Sequence, residues 1–374
     1  MNVSKGIAIA SKKYSPGDVI VKCMPLLHIV KYEYRDRCCD YCLRFSNHLK
    51  KCSKCGKLNY CDQTCQRHDW PFHKLECPVI SKYKLLNFEK QGYDYMQRMV
   101  LRLYLMCVSK PELLNRQFPL HNGLYRSLNN MESHSKEIEP TKAFEGIVNY
   151  FKLYSINGYD RQLLLKLYGI LQINAFGIDS YDEERGICHC ASGLYIEGSV
   201  FDHNCQSNAC ASGEGLILEI RALRDINIDE VITIDYIQNI LPKEERHSIL
   251  MDRYYFKCQC FKCQSDFDEK FDFQKFNKLQ KESEIIDSSI SAVNCRTRHE
   301  FVRQYYPHFH PNYTYFLYES LKYKLSLLRT NHNLNANKIQ HKKLVKEVKD
   351  NMKVTHGLNH TFYKMLVSVI KQDF

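Results

Sequence analysis

The pattern of apolar and polar residues changes from strand-like to helical and back along the chain. Residues 7–30 contain two runs rich in β-branched residues, IAIA and VIVKCM, separated by the turn sequence SPGD, and these runs predict two strands. Between about residues 80 and 168 the apolar positions recur every three or four residues. In DYMQRMVLRLYLMCV this spacing predicts a helix with one apolar face, formed by Met96, Met99, Val100, Leu103 and Met106.

Strand character returns between about residues 187 and 236. The runs GLYIEG, LILEIRAL and EVITIDY alternate there with turn residues, and they predict further strands. From residue 265 onward the pattern is again helical, as in YFLYESLKYKLSLL. We therefore expect a β-domain encoded in two pieces, with other modules between the pieces and a helical region after them.

The cysteine content is high for an ordinary globular chain, because 18 of the 374 residues are cysteine. It indicates a metal-binding protein. The N-terminal stretch MNVSKGIAIASKKY is too polar for a secretion signal and no apolar run is long enough to span a membrane, so we expect a location in the cytoplasm and nucleus. In these reducing compartments dense cysteine indicates metal rather than disulfides.

The net charge of +11 permits contact with nucleic acid, but a solvated basic surface is the simpler interpretation.

Seven cysteines and one histidine between residues 39 and 77 form four pairs with the spacing of zinc ligands. Eight such ligands suffice for two closed tetrahedral sites. The segment has few apolar residues of its own, so metal binding must supply most of its folding free energy, about 10 kcal/mol per site. Cys38 is an alternative to Cys39, although Cys39 gives the usual separation from the next cysteine. The candidate ligands are Cys39, Cys42, Cys52, Cys55, Cys61, Cys65, His73 and Cys77.

A second group of cysteines, in CQCFKC, supplies the three thiolates of Cys258, Cys260 and Cys263. Three thiolates leave one position on zinc, which either water or a distant side chain must occupy. Cys205, in FDHNCQSN, is one candidate for the fourth ligand, and Cys210 is another.

The sequence CHC at residues 188–190 contains metal-ligating residue types in an unsuitable geometry. Successive side chains of a strand point to opposite faces, so His189 would point away from both cysteines. We interpret this stretch as an ordinary strand.

Several of these stretches resemble the motifs of one protein family. Residues 38–78 closely resemble a MYND finger, including YC at 60–61, TCQRHDW and the closing H-x3-C. DHNC resembles the NHSCxPN motif of SET-domain methyltransferases, ITIDY resembles the motif that ends in their catalytic tyrosine, and CQCFKC resembles their post-SET CxCxxC. One longer stretch is similar along its whole length to the SET-and-MYND lysine methyltransferases, namely ALRDINIDEVITIDYIQNILPKEER. The end of their helical domain is resembled by VTHGLNH. The chain is identified as a member of that family.

The resemblance implies an α+β fold in which a SET β-fold is split by the finger and by a helical insert. The implied divisions are the N-terminal part of the SET domain (1–37), the MYND finger (38–78), the helical insert (79–168), the core SET domain (169–256), the post-SET zinc segment (257–264) and a tetratricopeptide-like helical domain (265–374). It also implies two interleaved zinc sites in the finger, Cys39, Cys42, Cys61 and Cys65 in one and Cys52, Cys55, His73 and Cys77 in the other. Cys205 then joins the post-SET cysteines on a third zinc ion.

The activity implied by the resemblance is S-adenosylmethionine-dependent N-methylation of protein lysines, on histone or non-histone substrates. Tyr236 would be the catalytic tyrosine, and Phe176 and Tyr254 would line an aromatic channel for the substrate lysine. The residues that match the family's cofactor contacts are Ser4, Lys5, Gly6, His134, Asn174, Ser199, Asp202, His203, Tyr236 and Phe256.

The finger of this family binds partner peptides, often Pro-rich ones, so we expect such partners here. We expect a monomer with little or no affinity for nucleic acid and none for membranes. The alternative to an enzyme is a catalytically weak SET/MYND adaptor that recruits protein partners through its finger.

Three departures from the family pattern bear on the activity. Asp202 replaces the asparagine of the motif and loses an amide donor, so we expect Asp202→Asn to tighten cofactor binding. Ser4 stands where the first glycine of a Gly-x-Gly turn is expected, and its side chain is disfavoured wherever the backbone needs a positive φ. The C-terminal helical region, of about 110 residues, is shorter than is typical of the family.

Overall fold

The computed structural model of the chain describes residues 8–81, 95–120, 123–153, 156, 158–182, 186–237, 241–265 and 338–373, with a few positions between 274 and 321. The strands are β1 (Val19–Cys23), β2 (Leu27–Val30), β3 (Lys50–Lys51), β4 (Asn59–Tyr60), β5 (Phe118–Pro119), β6 (Tyr125–Arg126), β7 (Ala175–Asp182), β8 (Gly186–Leu194), β9 (Asp202–His203), β10 (Ala209–Glu214), β11 (Ile217–Ala222) and β12 (Thr233–Ile234). The α-helices are α1 (Gln63–Ser81), α2 (Tyr95–Ser109), α3 (Ser135–Ile138), α4 (Lys142–Leu153), α5 (Arg161–Asn174), α6 (Lys243–Tyr254), α7 (Phe261–Gln264), α8 (Lys338–Thr355) and α9 (Thr361–Asp373).

Two antiparallel three-stranded sheets form the β-domain, with strand orders β1-β11-β10 and β2-β8-β7. Each sheet combines one strand from the N-terminal region with two strands from beyond residue 174, which confirms the prediction of a β-domain encoded in two pieces. The predicted strand GLYIEG was wrong beyond its first two residues, because β8 ends at Leu194 and Gly198–Val200 forms a 3-10 turn. The turn satisfies its backbone locally, since the N–H of Ser199 donates to the carbonyl of Tyr195 at 2.9 Å.

A short parallel pair, β9 with β12, places two of the motif segments side by side, with Asp202 opposite Thr233 and His203 opposite Ile234. The IAIA run joins the same region through an isolated bridge between Ile9 and Val231, and the N–H of Ile232 donates to the carbonyl of Ala8 at 2.7 Å. IAIA and EVITIDY therefore pair as extended segments, but over fewer residues than their composition predicts.

The helical insert packs on the second sheet through a large apolar core. The predicted apolar face of α2 is confirmed, since all five of its predicted residues are buried. The helix α2 lies against α1, α5 and β2, so it connects the finger to the β-domain. Burial of this apolar face, rather than helix propensity, is what holds the helix in place.

The C-terminal helices α8 and α9 pack on each other through Val348, Met352, Phe362 and Leu366. Nε2 of His360 lies 2.9 Å from the carbonyl oxygen of Gly213, which links the helices to β10. The predicted helical stretch YFLYESLKYKLSLL lies largely outside the described residues. The α+β class predicted from the sequence is confirmed. Among the described residues, no helix is long and apolar enough to cross a membrane.

Candidate active site and metal centres

The finger brings its eight predicted ligands into two groups of four. Within each group the ligand atoms lie within 4.8 Å of one another, and the grouping is the interleaved one implied by the family. A set of three thiolates and an imidazole, or of four thiolates, suits tetrahedral zinc. Cys39 rather than Cys38 is the ligand, because the Sγ of Cys38 lies against that of Cys190 at 4.0 Å, in the β-domain.

The histidine ligand of the finger is held by a buried carboxylate. Nδ1 of His73 lies 3.4 Å from Oε1 of Glu76, one turn along α1, while Nε2 faces the zinc group. Burial alone would raise the pKa of Glu76, but the charges of Arg102 and Arg98 hold it well below its usual range. An ionised carboxylate behind a zinc-bound histidine fixes the ring orientation and tautomer.

The arginines that neutralise this carboxylate belong to α2, outside the finger. Nη1 of Arg98 lies 2.9 Å from Oδ1 of Asp40 and its Nη2 lies 3.0 Å from Glu76. Arg102 contacts Glu76 and donates to Oδ1 of Asp69 at 3.1 Å. Both ends of the finger are thus joined to the helical insert by buried charge pairs.

The third metal group joins Cys205 to Cys258, Cys260 and Cys263, with all four ligand atoms within 4.8 Å of one another. The Sγ atom of Cys205 lies 3.6 Å from that of Cys263. Cys205 is therefore the fourth ligand. Cys210, the other candidate, lies elsewhere, with its Sγ 3.9 Å from the carbonyl oxygen of Thr355.

The CHC stretch at residues 188–190 is part of β8, and it forms no metal group with any other described residue. His189 is 54% exposed and its Nδ1 lies 2.8 Å from Oδ1 of Asp179, whereas Cys188 and Cys190 are buried on the other face. The prediction of an ordinary strand is confirmed.

His203 connects the third metal group to Tyr236. Its Nδ1 accepts a hydrogen bond from the backbone N–H of Tyr236 at 3.1 Å, and its Nε2 lies 3.3 Å from the Sγ of Cys205. Burial lowers the pKa of His203 to about 4, so the imidazole is neutral at pH 7. A neutral ring that accepts at Nδ1 carries its proton on Nε2, where it can donate to a zinc-bound thiolate.

Tyr236 lies in an aromatic cluster between β9 and α6. Its hydroxyl donates to the carbonyl of Phe201 at 2.6 Å, and its ring centroid lies 4.8 Å from that of Tyr254. Phe256 lies on the other side of His203, with ring centroids 6.0 Å apart. Burial raises the pKa of Tyr236, and the charge of Asp202 raises it further, so the hydroxyl stays protonated. Its oxygen therefore acts as a polar group rather than as a base.

The remaining predicted site residues are distributed around this cluster. Asn174 is buried at the end of α5, where its Nδ2 donates to the carbonyl of Ile170 at 2.8 Å. His134 has a left-handed backbone with φ of 43°, and its ring centroid lies 5.2 Å from that of Tyr255. Phe176 packs edge-on against Tyr195, on the apolar cluster that also contacts Tyr236. Asp202 is exposed on β9, and Ser4, Lys5 and Gly6 lie outside the described residues.

Comparison with known proteins agrees with this geometry. The MYND finger family model matches residues 39–77. The chain is 28% identical over 293 residues to the N-lysine methyltransferase SMYD2-A of Danio rerio, an alignment that covers 76% of this chain and 64% of that protein. It is 26% identical over 292 residues to the human N-lysine methyltransferase SMYD2, again covering 76% of this chain and 64% of the relative. The chain therefore carries a MYND finger and is similar to proteins named N-lysine methyltransferases. It spans somewhat less than two thirds of the length of these relatives.

Two charged residues that support this site were missed in the sequence. Arg246 of α6 is fully buried, and its Nη2 lies 3.4 Å from the Sγ of Cys263. Arg126 of β6 donates from Nη1 to the carbonyl and to the hydroxyl of Ser199, at 2.8 and 3.0 Å. Arg126 lies in LYRSL, which resembles an ordinary loop. Arg246 ends the stretch that resembles the family, but PKEER by itself resembles an exposed charged turn and indicated no role for the arginine. Their roles are visible only from the burial and partners that the fold gives them.

Proposed function

We propose that this chain is an S-adenosylmethionine-dependent protein-lysine N-methyltransferase. The observation that carries the proposal is the arrangement of Tyr236, whose backbone is tied through His203 to the third zinc group and whose ring lies beside Tyr254. The names of the SMYD2 relatives support the same reaction class.

The residues of the site suit the cofactor that this reaction needs. His203, Asp202 and Asn174 supply polar groups, and Phe256 supplies an aromatic face next to His203. When bound, S-adenosylmethionine supplies a methyl group on a sulfonium, which the amine of a lysine can accept. The protein must then position the amine and exclude water, and positioning of this kind contributes about 7–11 kcal/mol to catalysis.

The substrate lysine must enter the reaction as a neutral amine. With an ordinary pKa near 10.4, loss of its proton at pH 7.4 costs about 4 kcal/mol. An aromatic channel reduces that cost by desolvating the ammonium, and Tyr254, Phe176 and Tyr236 would form such a channel. The hydroxyl oxygen of Tyr236 would face the methyl group through weak C–H···O contacts, which requires no general base at this position.

The finger would recruit the protein that carries this lysine. Trp70 of α1 is 38% exposed beside His73, and Tyr41 packs edge-on against His68 at 5.2 Å. Aromatic side chains that are at least partly exposed, such as these, suit Pro-rich peptides, which present a preformed extended helix. Substrates on histones and other proteins, and a location in the cytoplasm and nucleus, belong to the same proposal.

Calorimetric titration of the purified protein with S-adenosylmethionine, followed by methyl-labelling of a protein library, tests the proposal. We expect binding and labelled lysines. Tyr236→Phe removes only a hydroxyl, so cofactor affinity should be kept while turnover falls about 100-fold, the usual scale for loss of one transition-state contact. Absence of cofactor binding by the wild-type chain would overturn the proposal in favour of an adaptor that acts through its finger.

A further inference from the structure

Asn208 is a buried asparagine just after the loop that carries Cys205, and the reaction proposed above gives it no role. Only 2% of the residue is exposed. Its Nδ2 donates to the carbonyl of Val231 at 2.8 Å, and its Oδ1 accepts from the backbone N–H of Thr233 at 2.8 Å. One carboxamide therefore contacts the backbone on both sides of Ile232.

These two hydrogen bonds have the pattern of a parallel β-ladder. In such a ladder one residue donates to a carbonyl of the neighbouring strand and accepts from an N–H two positions further along. The N–H of Ile232, between the two contacted residues, donates instead to the carbonyl of Ala8 at 2.7 Å. The segment 231–233 is thus paired with residue 8 and with a side chain. The carboxamide of Asn208 extends the short parallel pair of β9 and β12.

The strand β12 connects this contact to the catalytic centre. Its residues lie opposite those of β9, and the carbonyl of Ile234 accepts from the N–H of Asn204 at 3.1 Å. Two residues further along, the N–H of Tyr236 donates to Nδ1 of His203. The contact made by Asn208 therefore helps to fix the extended segment that ends at Tyr236.

Glu230 holds the carboxamide of Asn208 in one orientation. Its Oε1 accepts from Nδ2 of Asn208 at 3.1 Å and lies 2.6 Å from Nη2 of Arg224. Its Oε2 accepts from the backbone N–H of Asn227 at 3.1 Å. These hydrogen bonds, first that of Arg224, lower the pKa of Glu230, so its carboxylate is ionised. An ionised carboxylate only accepts, which determines the end of the carboxamide that must donate.

We propose that Asn208 is a positioning residue for Tyr236, because its carboxamide fixes β12 relative to the cofactor loop, residues 199–205. The inference rests on the proposed function, since it concerns the catalytic tyrosine of that reaction. The cofactor loop is held separately, at Cys205, by the third metal group. Loss of the carboxamide contact should therefore displace Tyr236 more than it displaces the groups that contact the cofactor.

Asn208→Asp tests the donor of the carboxamide alone. The introduced carboxylate still accepts from the N–H of Thr233, but it cannot donate to the carbonyl of Val231. Turnover on the labelled proteins of the library, at saturating cofactor, should fall about 10- to 100-fold, since a small displacement of a catalytic group costs that much. The Kd for S-adenosylmethionine, measured by calorimetry, should stay within about threefold of the wild-type value, because the lost interaction acts on the transition state.

This split between turnover and Kd is the result that a merely structural role would not give. A pocket that is partly unfolded loses zinc and cofactor affinity together with turnover. Zinc content, measured for each variant, should therefore remain that of the wild-type chain.

The pH profile of Asn208→Asp shows whether the missing donor is the cause. A protonated carboxyl has the shape of a carboxamide, with one donor and one acceptor. Burial beside the charge of Glu230 raises the pKa of the introduced carboxyl, so its donor returns as the pH falls from about 8 to 6. Arg224 and Glu230 keep their charges in this range. The ratio of wild-type to variant turnover, taken at each pH, should therefore decrease toward low pH.

Asn227→Asp is the matched control. Asn227 is exposed in the turn before Glu230, and the substitution adds the same charge near the same carboxylate. Turnover, Kd and the pH profile of this variant should match those of the wild-type chain.

Three results would overturn the positioning role and leave the methyltransferase proposal intact. They are wild-type turnover in Asn208→Asp, a loss of turnover matched by loss of zinc or of cofactor affinity, and a turnover ratio that does not change with pH. A wild-type chain that binds no cofactor or labels no lysine would overturn both proposals.

Discussion

The finger and the post-SET site bind metal in opposite ways. All eight ligands of the finger come from residues 39–77, and four of the six buried residues of its apolar cluster are ligands. The post-SET site takes three ligands from a short segment and the fourth from Cys205, which is 53 positions from Cys258. Local ligands can assemble with little help from the rest of the chain. The distant ligand can reach the other three only when the β-domain has folded. The third zinc site therefore depends on that fold, and the two sites of the finger do not.

Buried arginines support both regions, but by different routes. Arg102 reaches the finger through Glu76, which holds the ring of His73. Arg246 lies directly against the thiolate of Cys263. In the finger the arginine joins a metal module to a separate helix. At the post-SET site it lies against a thiolate and balances its charge.

The largest expected difference between the two regions follows from loss of one ligand in each. Cys205→Ser and Cys52→Ser should each lower the zinc content from three ions to two. Each lost site removes a metal worth about 10 kcal/mol of folding free energy. Because Cys205 is tied to His203 and Tyr236, only Cys205→Ser should also abolish cofactor binding. Elemental analysis and calorimetry measure both properties.

Cys210→Ser is the matched control for these variants, since Cys210 is buried in the same domain but lies outside the three metal groups that the described residues form. It should keep three zinc ions. Retention of the third zinc in Cys205→Ser, or loss of cofactor binding in Cys52→Ser, would remove the distinction between the two regions.

A smaller effect is expected from the buried arginine that joins the finger to α2. Arg102→Met leaves the carboxylates of Asp69 and Glu76 buried without their main partner, which should lower the free energy of unfolding by about 3–5 kcal/mol. Urea unfolding measures this change, and hydrogen exchange in the finger shows whether the loss is local.

Arg161→Met is the variant with which Arg102→Met should be compared. Arg161 is a helical arginine whose side chain is 43% exposed, and its Nε lies 4.0 Å from Oε1 of Glu139. Exposed pairs contribute about 0.2–1 kcal/mol, so its effect should stay within that range. Equal effects in the two variants would show that the finger does not depend on its buried charges.

The smallest effect is expected at His189. This residue belongs to the CHC stretch, which contains metal-ligating residue types but lies outside the three metal groups of the described residues. His189→Ala removes an exposed ion pair with Asp179, so stability should fall by less than about 1 kcal/mol. Elemental analysis should still find three zinc ions per chain. Loss of a zinc ion in this variant would mean that β8 carries a metal site after all.

The zinc ligands were the part of the site most fully predictable from the sequence. The spacing of Cys39, Cys42 and their neighbours reflects the short reach between ligands of one ion, so it is written locally in the chain. The apolar face of α2 was predictable for a similar reason, because helical periodicity is local. The ends of the strands were not, since β8 and β12 stop where the chain turns to satisfy other contacts.

The sequence by itself determined the residue types, the metal modules and the family motifs around Cys205 and Tyr236. Only the tertiary structure brought Arg126 to Ser199, Arg246 to Cys263 and Arg102 to the back of a zinc-binding histidine. The physical reason is that an arginine has no local signature. Its guanidinium can be solvated, paired or buried, and which of these occurs depends on the charges and carbonyl groups that distant segments place around it.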